Sequence, residues 1–498
     1  MDFNCHSPCP LERIPELKPE RLGTALKAHL AQGWRLLCLT AVEAALFTPG
    51  VPGKGLLCIL LNLSTGACRA LRTAPLTSYP ALTPAIPQAH MFEREVFEQH
   101  GIEPVGHPWL KPVRFITPAS GAPRPLPGNA PWFKVEGPTV HEVAVGPIHA
   151  GVIEPGHFRF QCYGERVMYL EIGLGFQHRG LEGLLRQRPL AGWLPLVECA
   201  AGDASVAHAT AHATLVETLA GVPCTPRGAV IRAVGLELER LACHTGDLGA
   251  MGGDVGYLPT SQWCGRIRGD FLNLTALICG NRFGRGLVRP GGVSHDIEAS
   301  RADTLRQRLK AACRDVTGAV DLMLDTALVL DRFEGTGVVP PETAHALGLT
   351  GVAGRASGQA QDVRASLGDP ALFPAPCAVR SEQTGDVLAR ARVRRAEIDD
   401  AVRIIEHALD TLPATPCHTD APMRLAPGLL AVSLAESWRG PVCHVGISGP
   451  DTNLVWYKIV DPSFHNWTGL AMALRNGEIS DFPLCNKSFN LSYCGHDL

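Results

Sequence analysis

The sequence predicts an α+β chain, with a small N-terminal α+β domain followed by a large, mainly helical bundle domain with a β cap. Three observations carry that prediction. Strand-like runs with turn signals fill about the first hundred residues, a proline- and glycine-rich stretch interrupts the chain, and long segments of helical period follow it. A chain of 498 residues is expected to hold two or three domains on a prior of roughly 150 residues each.

In chain order, Pro19 to Leu30 places Leu22, Ala25, Leu26 and Leu30 at helical spacing. Trp34 to Leu39 and Gly55 to Leu63 read as strands, and Ser64-Thr65-Gly66 turns the second into Cys68 to Thr73. Ala89 to His100 is a charged helix stopped by Gly101. Pro118 to Pro131 holds five prolines and two glycines, so residues 117–134 read as a linker between domains 1–116 and 135–498. Beyond it, His141 to Ile148 is strand-like and Phe158 to Leu174 is a hairpin turning at Tyr163-Gly164-Glu165. Helices are expected over Asp203 to Ala220, Pro226 to Leu248, Ile297 to Leu330 and Gly385 to Leu412. Leu429 to Ile447 and Leu454 to Val460 read as a last hairpin. The tail after it reads as irregular, yet its aromatic patterning predicts that it plugs into the core rather than fraying.

Composition removes several function classes. Apolar residues make up 46% and charged residues 19%, which excludes a disordered chain. A net charge of -3 and 6% aromatics argue against nucleic-acid binding. The most apolar runs, Leu56 to Leu63 and Leu36 to Phe47, are short or broken by Glu43, against the about 20 apolar residues a membrane span needs. The start has no basic segment followed by an apolar one, so a cytoplasmic chain held at the inner membrane only through partners is expected. Seventeen cysteines include no Cys-x-x-Cys, so no iron–sulfur, zinc-ribbon or dithiol frame of its own is expected. No glycine-rich dinucleotide fingerprint is present.

Three constellations carry chemistry, each with a plainer alternative. Glu237, Arg240 and His244 share one helical face, as a buried ion pair with a histidine below it or as a charged network beside a redox or proton-conducting site. His208 and His212 have the i, i+4 spacing of a helical metal pair, but Ala209 replaces the glutamate of the zincin pattern and no third ligand is identifiable. Gly146-Pro147-Ile148-His149 leads into Glu154-Pro155-Gly156-His157, where a folded-back loop would aim a carboxylate and two imidazoles at one pocket, and a surface loop would not.

Those motifs, with His178-Arg-Gly-Leu-Glu182, Arg355-Ala-Ser-Gly358, Asp362-Val-Arg364 and Asp461-Pro-Ser-Phe, resemble the large subunit shared by respiratory complex I and group 4 nickel–iron hydrogenases. The first segment, with Phe92-Glu-Arg-Glu95, Gly101-Ile102 and Gly106-His-Pro108, resembles the complex I subunit of about 30 kDa, which the formate-hydrogenlyase type carries fused to its large subunit. The resemblance implies the hydrogenase large-subunit fold, a small iron–sulfur partner bearing a 4Fe–4S cluster, and membrane-arm partners. Where the nickel enzymes have their four cysteines, this sequence has Ala201, Ala204, Ser492 and Gly495, with Cys199 and Cys494 out of register. Neither alanine, serine nor glycine supplies a thiolate, so no metal centre is expected. Where complex I uses a histidine and a tyrosine on quinone, the matching positions are Ile153 and Gly202, which donate no proton.

The expectation from this resemblance is an electron-transfer oxidoreductase subunit with a metal-free cavity that binds a quinone-like or other small acceptor and holds no cofactor itself. The alternatives are a catalytically silent assembly subunit and, third, a working hydrogenase with unorthodox ligands. Glu154, His149, His157, Asp203 and His208 are the expected cavity residues, with Glu154 resembling a proton-moving glutamate of the hydrogenases. Arg179, Glu182, Glu237, Arg240, His244, Arg355 and Asp362 are expected behind them.

Overall fold

A computed structural model of the chain describes residues 2–118, 123–149, 154–367 and 379–498. The N-terminal unit is a five-stranded sheet in which Trp34–Glu43, Lys54–Asn62 and Ala67–Thr73 run antiparallel in sequence order. Gly66, at φ 67°, makes the predicted turn between the last two. The helix Pro19–Leu30 buries Leu22 and Leu26, and the helix His90–His100 ends on Gly101 in the left-handed conformation. The short strand Cys9–Pro10 leaves this sheet and pairs with Leu429–Ser437. One apolar core then runs from Leu36, Leu57 and Phe92 across to Leu430, Val445 and Trp456, so the two ends of the chain are packed together.

The three-stranded sheet Val140–Val145, His157–Tyr163 and Arg166–Gly173 lies before the helices, and its hairpin turns at Gly164 as predicted. The helices Ser205–Ala220, Pro226–Asp254, Ala299–Leu324 and Val387–Asp410 follow the expected segments, with three departures. The helix from Pro226 runs through Gly249, Gly252 and Gly253, which the sequence suggests as an end. A Cβ on Gly249 would lie 2.7 Å from Cys264 Cβ, so these glycines let the next helix approach closely instead of stopping this one. That next helix, Leu258–Cys279, is absent from the expectations although Cys264, Ile267, Phe271, Leu274 and Ile278 form a regular buried stripe. The segment from Ile297 to Leu330 breaks into Ala299–Leu324 and Ala327–Phe333.

The C-terminal region also differs from the expected hairpin and irregular tail. Leu429–Ser437 and Gly440–Ser448 are themselves a hairpin turning at Trp438-Arg439, and Leu454–Val460 adds a third strand. The tail forms the helices Pro462–Ala473, Phe482–Phe489 and Tyr493–Asp497, and Tyr493 to Leu498 are all buried. Proline at each start of the first two and serine at the N-cap of the third explain why these short helices form where apolar periodicity is weak.

Between the Pro226 helix, the Val387 helix and the Leu429 strand lies a buried ionic cluster. Arg240 donates to Glu237 and Glu397, both at 3.0 Å, and Arg355 reaches Glu397 and Glu436, both at 2.8 Å. Arg364 adds bonds to Glu237 at 3.0 Å and Asp362 at 2.7 Å. His244 touches Glu397 at 2.9 Å, and burial pushes the imidazole down to about 3, so it is neutral. Burial alone would raise the Glu397 carboxyl, but Arg355, His244 and Arg240 outweigh it and hold it well below the usual carboxylate range. The sequence alternative of a buried ion pair with a histidine below it is present as Glu237–Arg240 with His244, inside a wider network that includes Arg355 and Asp362. Glu397→Ala leaves two guanidiniums without their shared anion and is expected to cost about 3–5 kcal/mol in chemical denaturation. Because the Glu397 carboxyl titrates lower in the folded state than unfolded, its contribution is present above pH ~4.5 and is lost as pH falls below it.

Candidate functional site

Positions 201 and 204 pack against Cys494, between 492 and 495, although nearly three hundred residues separate the two segments. Ala201 and Ala204 share one buried cluster with Ala207, Ala211, Ala435, Val442 and Cys494. Arg179 joins the two segments, donating to the carbonyls of Cys199 at 2.6 Å, Ala200 at 3.1 Å and Cys494 at 3.0 Å. Ser492 caps the last helix, its Oγ accepting the Gly495 N–H at 2.9 Å. At Gly495 an added Cβ would stand 2.6 Å from the Asp461 carboxylate carbon, so that carboxylate occupies the room a side chain at 495 would need. Cys494 Sγ lies 3.3 Å from Ser492 Oγ, and burial followed by the charge of Glu154 pushes its thiol up to about 11, which keeps it protonated.

The expected cavity residues divide into two groups. Glu154 reaches the cluster, its Oε2 accepting the Tyr493 N–H at 3.2 Å, and His208 enters it from the Ser205 helix. Asp203 lies at its edge and pairs with both terminal nitrogens of Arg439 at 2.6 and 2.7 Å. His149 and His157 do not turn their bonded nitrogens to a common pocket. The loop folds back at Gly146, where a Cβ would meet Gly156 O at 2.1 Å, but His149 Nε2 bonds Gly156 O at 2.9 Å and His157 Nδ1 bonds Gly146 O at 3.1 Å. Both imidazoles clip the loop ends together. Ile153 lies outside the described residues. Glu182 accepts from Ile459 N–H at 2.9 Å and pairs with Lys458 at 3.1 Å, joining a buried set with Glu95 and Arg114.

Sequence reading missed the partners of His208. Its Nε2 lies 3.2 Å from Asp461 Oδ2 and its Nδ1 3.1 Å from His444 Nε2. His444 Nδ1 lies 2.6 Å from the Tyr457 hydroxyl, which lies 2.8 Å from His212 Nδ1. All five groups are buried. Burial holds His444 far below the usual imidazole range, takes His212 down to about 4, and lifts the Tyr457 phenol. Burial acts to raise Asp461 as well, but the hydrogen bond from His208 and the charge of Arg439 leave it below the ordinary carboxyl value. The i, i+4 spacing of His208 and His212 was the available signal, since it puts both on one helical face toward the strands that carry His444 and Tyr457.

Comparison with known proteins places this geometry. Residues 16–132 match the family model for the 30 kDa subunit of respiratory-chain NADH dehydrogenase, and residues 254–432 that for the 49 kDa subunit. The chain is 30% identical to formate hydrogenlyase subunit 5 of Escherichia coli (strain K12) over 83% of this chain and 76% of that protein. It belongs to the large-subunit family of complex I and the group 4 hydrogenases. Members similar to it include the membrane-bound hydrogenase subunit alpha of Pyrococcus furiosus, 30% identical over 70% of this chain and 85% of the relative. NADH-quinone oxidoreductase subunit 4 of Thermus thermophilus is 29% identical over 68% of this chain and 89% of its own length. Among solved structures, a chain of the membrane-bound sulfane sulfur reductase, an archaeal respiratory membrane complex, superposes with a TM-score of 0.67 at 25% identity, covering 72% of this chain and 99% of that one.

No thiolate stands at the positions where the resemblance puts the ligands of a nickel–iron group. At those positions stand two methyl groups, a serine turned onto its own helix end and a glycine backed by Asp461. Among the described residues no group of three or more His, Cys, Asp or Glu is placed to hold a metal ion. Arg179→Ala removes three carbonyl contacts and is expected to speed amide exchange at residues 493–497 by about tenfold, measured by hydrogen–deuterium exchange. Exchange unchanged there would show that the backbone contacts to Leu498 O hold the end without it.

Proposed function

We propose that this chain is the large electron-transfer subunit of a membrane-attached complex of the complex I and group 4 hydrogenase type, and that its cavity works without a nickel–iron centre. What supports the reading is that Ala201, Ala204, Ser492 and Gly495 stand where the resemblance puts the four thiolates, Ala201 and Ala204 packed against Cys494 between the other two, with ionisable groups around them. The grouping of Glu154, His208, Asp461 and a protonated Cys494 around this buried site suits proton-coupled reduction of a small acceptor, such as a quinone. Electrons would come from a 4Fe–4S cluster in a small partner subunit, since this chain brings no cluster frame. No helix among the described residues is long and apolar enough to cross a membrane, which suits attachment through membrane-arm partners. The relatives' names add proton and sulfane sulfur reduction as reactions to be assayed.

A second reading, a silent assembly subunit, draws on the pairing of the charged groups. Asp203 is matched by Arg439, while His149 and His157 are engaged with loop carbonyls. The two readings separate on one variant. In the purified complex Glu154→Gln is expected to lower turnover by about 10²-fold with subunit composition intact, whereas a silent subunit leaves turnover unchanged. Elemental analysis of the same complex is expected to find iron but nickel far below one equivalent. Nickel near one equivalent per chain would revive a working hydrogenase built on unorthodox ligands. Quinone, proton and sulfane sulfur reduction are assayed side by side on that preparation.

A further inference from the structure

A cavity of about 110 Å3 lies where the N-terminal unit meets the rest of the chain. One wall comes from the helix His90–His100 and residues 109–115, the other from the strand Arg166–Gly173, the helix Pro462–Ala473 and His496. One water needs roughly 10–15 Å3, so there is room for an ion of about four heavy atoms. His90, Arg94, Trp109 and Tyr169 in the walls are each partly exposed, so this side reaches solvent.

The charges in the lining do not balance by contact. Lys111 is matched by Glu171 at 2.7 Å, but among the described residues no carboxylate pairs with Arg94. Arg94 Nε donates to the Lys111 carbonyl at 2.6 Å and one Nη to that of Pro112 at 2.9 Å. The other Nη touches the Met91 sulfur at 3.4 Å, which leaves two of the five guanidinium N–H groups unspent. The carboxylates that act on Arg94 from further off are engaged, Glu171 with Lys111 and Glu98 with the N–H groups of Val113, Arg114 and Ile116. Burial brings the guanidinium down to about 10, so it stays charged at neutral pH, and an enclosed charge without a contact anion is costly.

Two more groups in the lining lack partners. Trp467 Nε1 and His496 Nε2 have no hydrogen bond among the described residues, although both side chains are buried. The indole N–H only donates. His496 Nδ1 faces Asp497 Oδ1 at 3.0 Å, an oxygen that already accepts the Gly175 N–H at 2.8 Å. With the hydrogen on Nδ1, and burial holding the imidazole below its usual value, Nε2 is an acceptor. His90 is kept neutral by burial, which pushes it down to about 3, and its Nε2 lies 3.1 Å from Thr468 Oγ1.

We propose that this cavity binds a small monovalent oxyanion carrying one hydroxyl hydrogen, of the hydrogencarbonate type. Its charged oxygens accept from the unspent Arg94 N–H groups and from Trp467 Nε1–H, and its hydroxyl donates to His496 Nε2. A single unmatched guanidinium sets the charge at one; a divalent anion would bring a second charge toward Glu171 with no cation to meet it. Binding here is independent of the redox function proposed above. Trp467 meets the Tyr493 ring at a centroid distance of 4.9 Å, so an occupant sits one ring behind the segment that carries Ser492 and Gly495.

Isothermal titration calorimetry on the intact complex, at mildly alkaline pH and constant ionic strength, tests the site. Hydrogencarbonate is expected to bind once per chain with a dissociation constant on the order of 1 mM, within what four heavy atoms can supply. Nitrate, flat and monovalent but without a hydrogen, is expected to bind about tenfold more weakly, and sulfate more weakly again. Trp467→Phe keeps the packing and removes only an N–H that no protein group uses. It is expected to weaken hydrogencarbonate binding about tenfold with the thermal midpoint unchanged. Arg94→Gln is expected to abolish binding, and its thermal midpoint reads separately the loss of the Lys111 and Pro112 contacts. No saturable hydrogencarbonate binding in the wild type would overturn the site, as would binding unchanged in both variants. Nitrate or sulfate binding as tightly as hydrogencarbonate would overturn the assigned ligand.

Discussion

Glu397 is the anion on which the interior of this protein depends. It draws Arg240, Arg355 and His244 from two helices onto one carboxylate at full burial. With Arg240 held there, its remaining N–H groups reach the carbonyls of Glu436 at 2.9 Å and Ser437 at 3.3 Å, at the end of the strand Leu429–Ser437. The next residues turn the hairpin, and Arg439 in that turn grips Asp203 while Trp438 donates to the Asp203 carbonyl at 2.9 Å. Asp203 sits between Ala201 and Ala204. The electrostatics of the core thus set the backbone around positions 201 to 204, because a buried carboxylate has to be paired and its partners have to follow it.

The site around positions 201, 204, 492 and 495 sits in a fold shared with the hydrogenase and complex I large subunits. Small side chains at 201, 204 and 495 leave no donor atom, and the room at 495 is taken by a carboxylate. Ser492 has a hydroxyl but spends it on a helix end, and Cys494 has a sulfur but keeps its proton. Around them stand Glu154, which accepts the Tyr493 N–H, and Asp461, which holds the His208 imidazole. Burial holds the His444 and His212 imidazoles below their usual range, while the hydrogen bond from His208 and the charge of Arg439 hold Asp461 below the ordinary carboxyl value.

Much of the fold was legible. Helical stripes such as Leu22 and Leu26, and the turns at Gly66 and Gly164, announce local geometry that the chain adopts without long-range help. The helix Leu258–Cys279 escaped notice although its buried stripe is regular, because polar residues and glycines around Cys264 blur the surface side. The C-terminal helices were hidden for another reason. They are almost wholly buried, so their apolar residues show no face at all. Within the site, His208 and Glu154 were readable from motifs, whereas the orientations of His149 and His157 were not. A histidine on a tight loop can turn outward to a cavity or inward to a carbonyl, and sequence spacing is the same in both cases.

By itself the sequence determined the identity of the side chains at positions 201, 204, 492 and 495, and with it the absence of four thiolates there, since coordination chemistry depends on atoms and not on packing. It also determined family membership, because motif order survives at about 30% identity. Tertiary structure alone decided that the two halves of the site meet, that Asp461 fills the space beside Gly495, and that His444 and Tyr457 continue the line begun by His208. Those residues come from strands and helices more than two hundred positions apart. Contacts of that kind are chosen by which buried polar groups can satisfy one another, a choice made only once the whole core has closed.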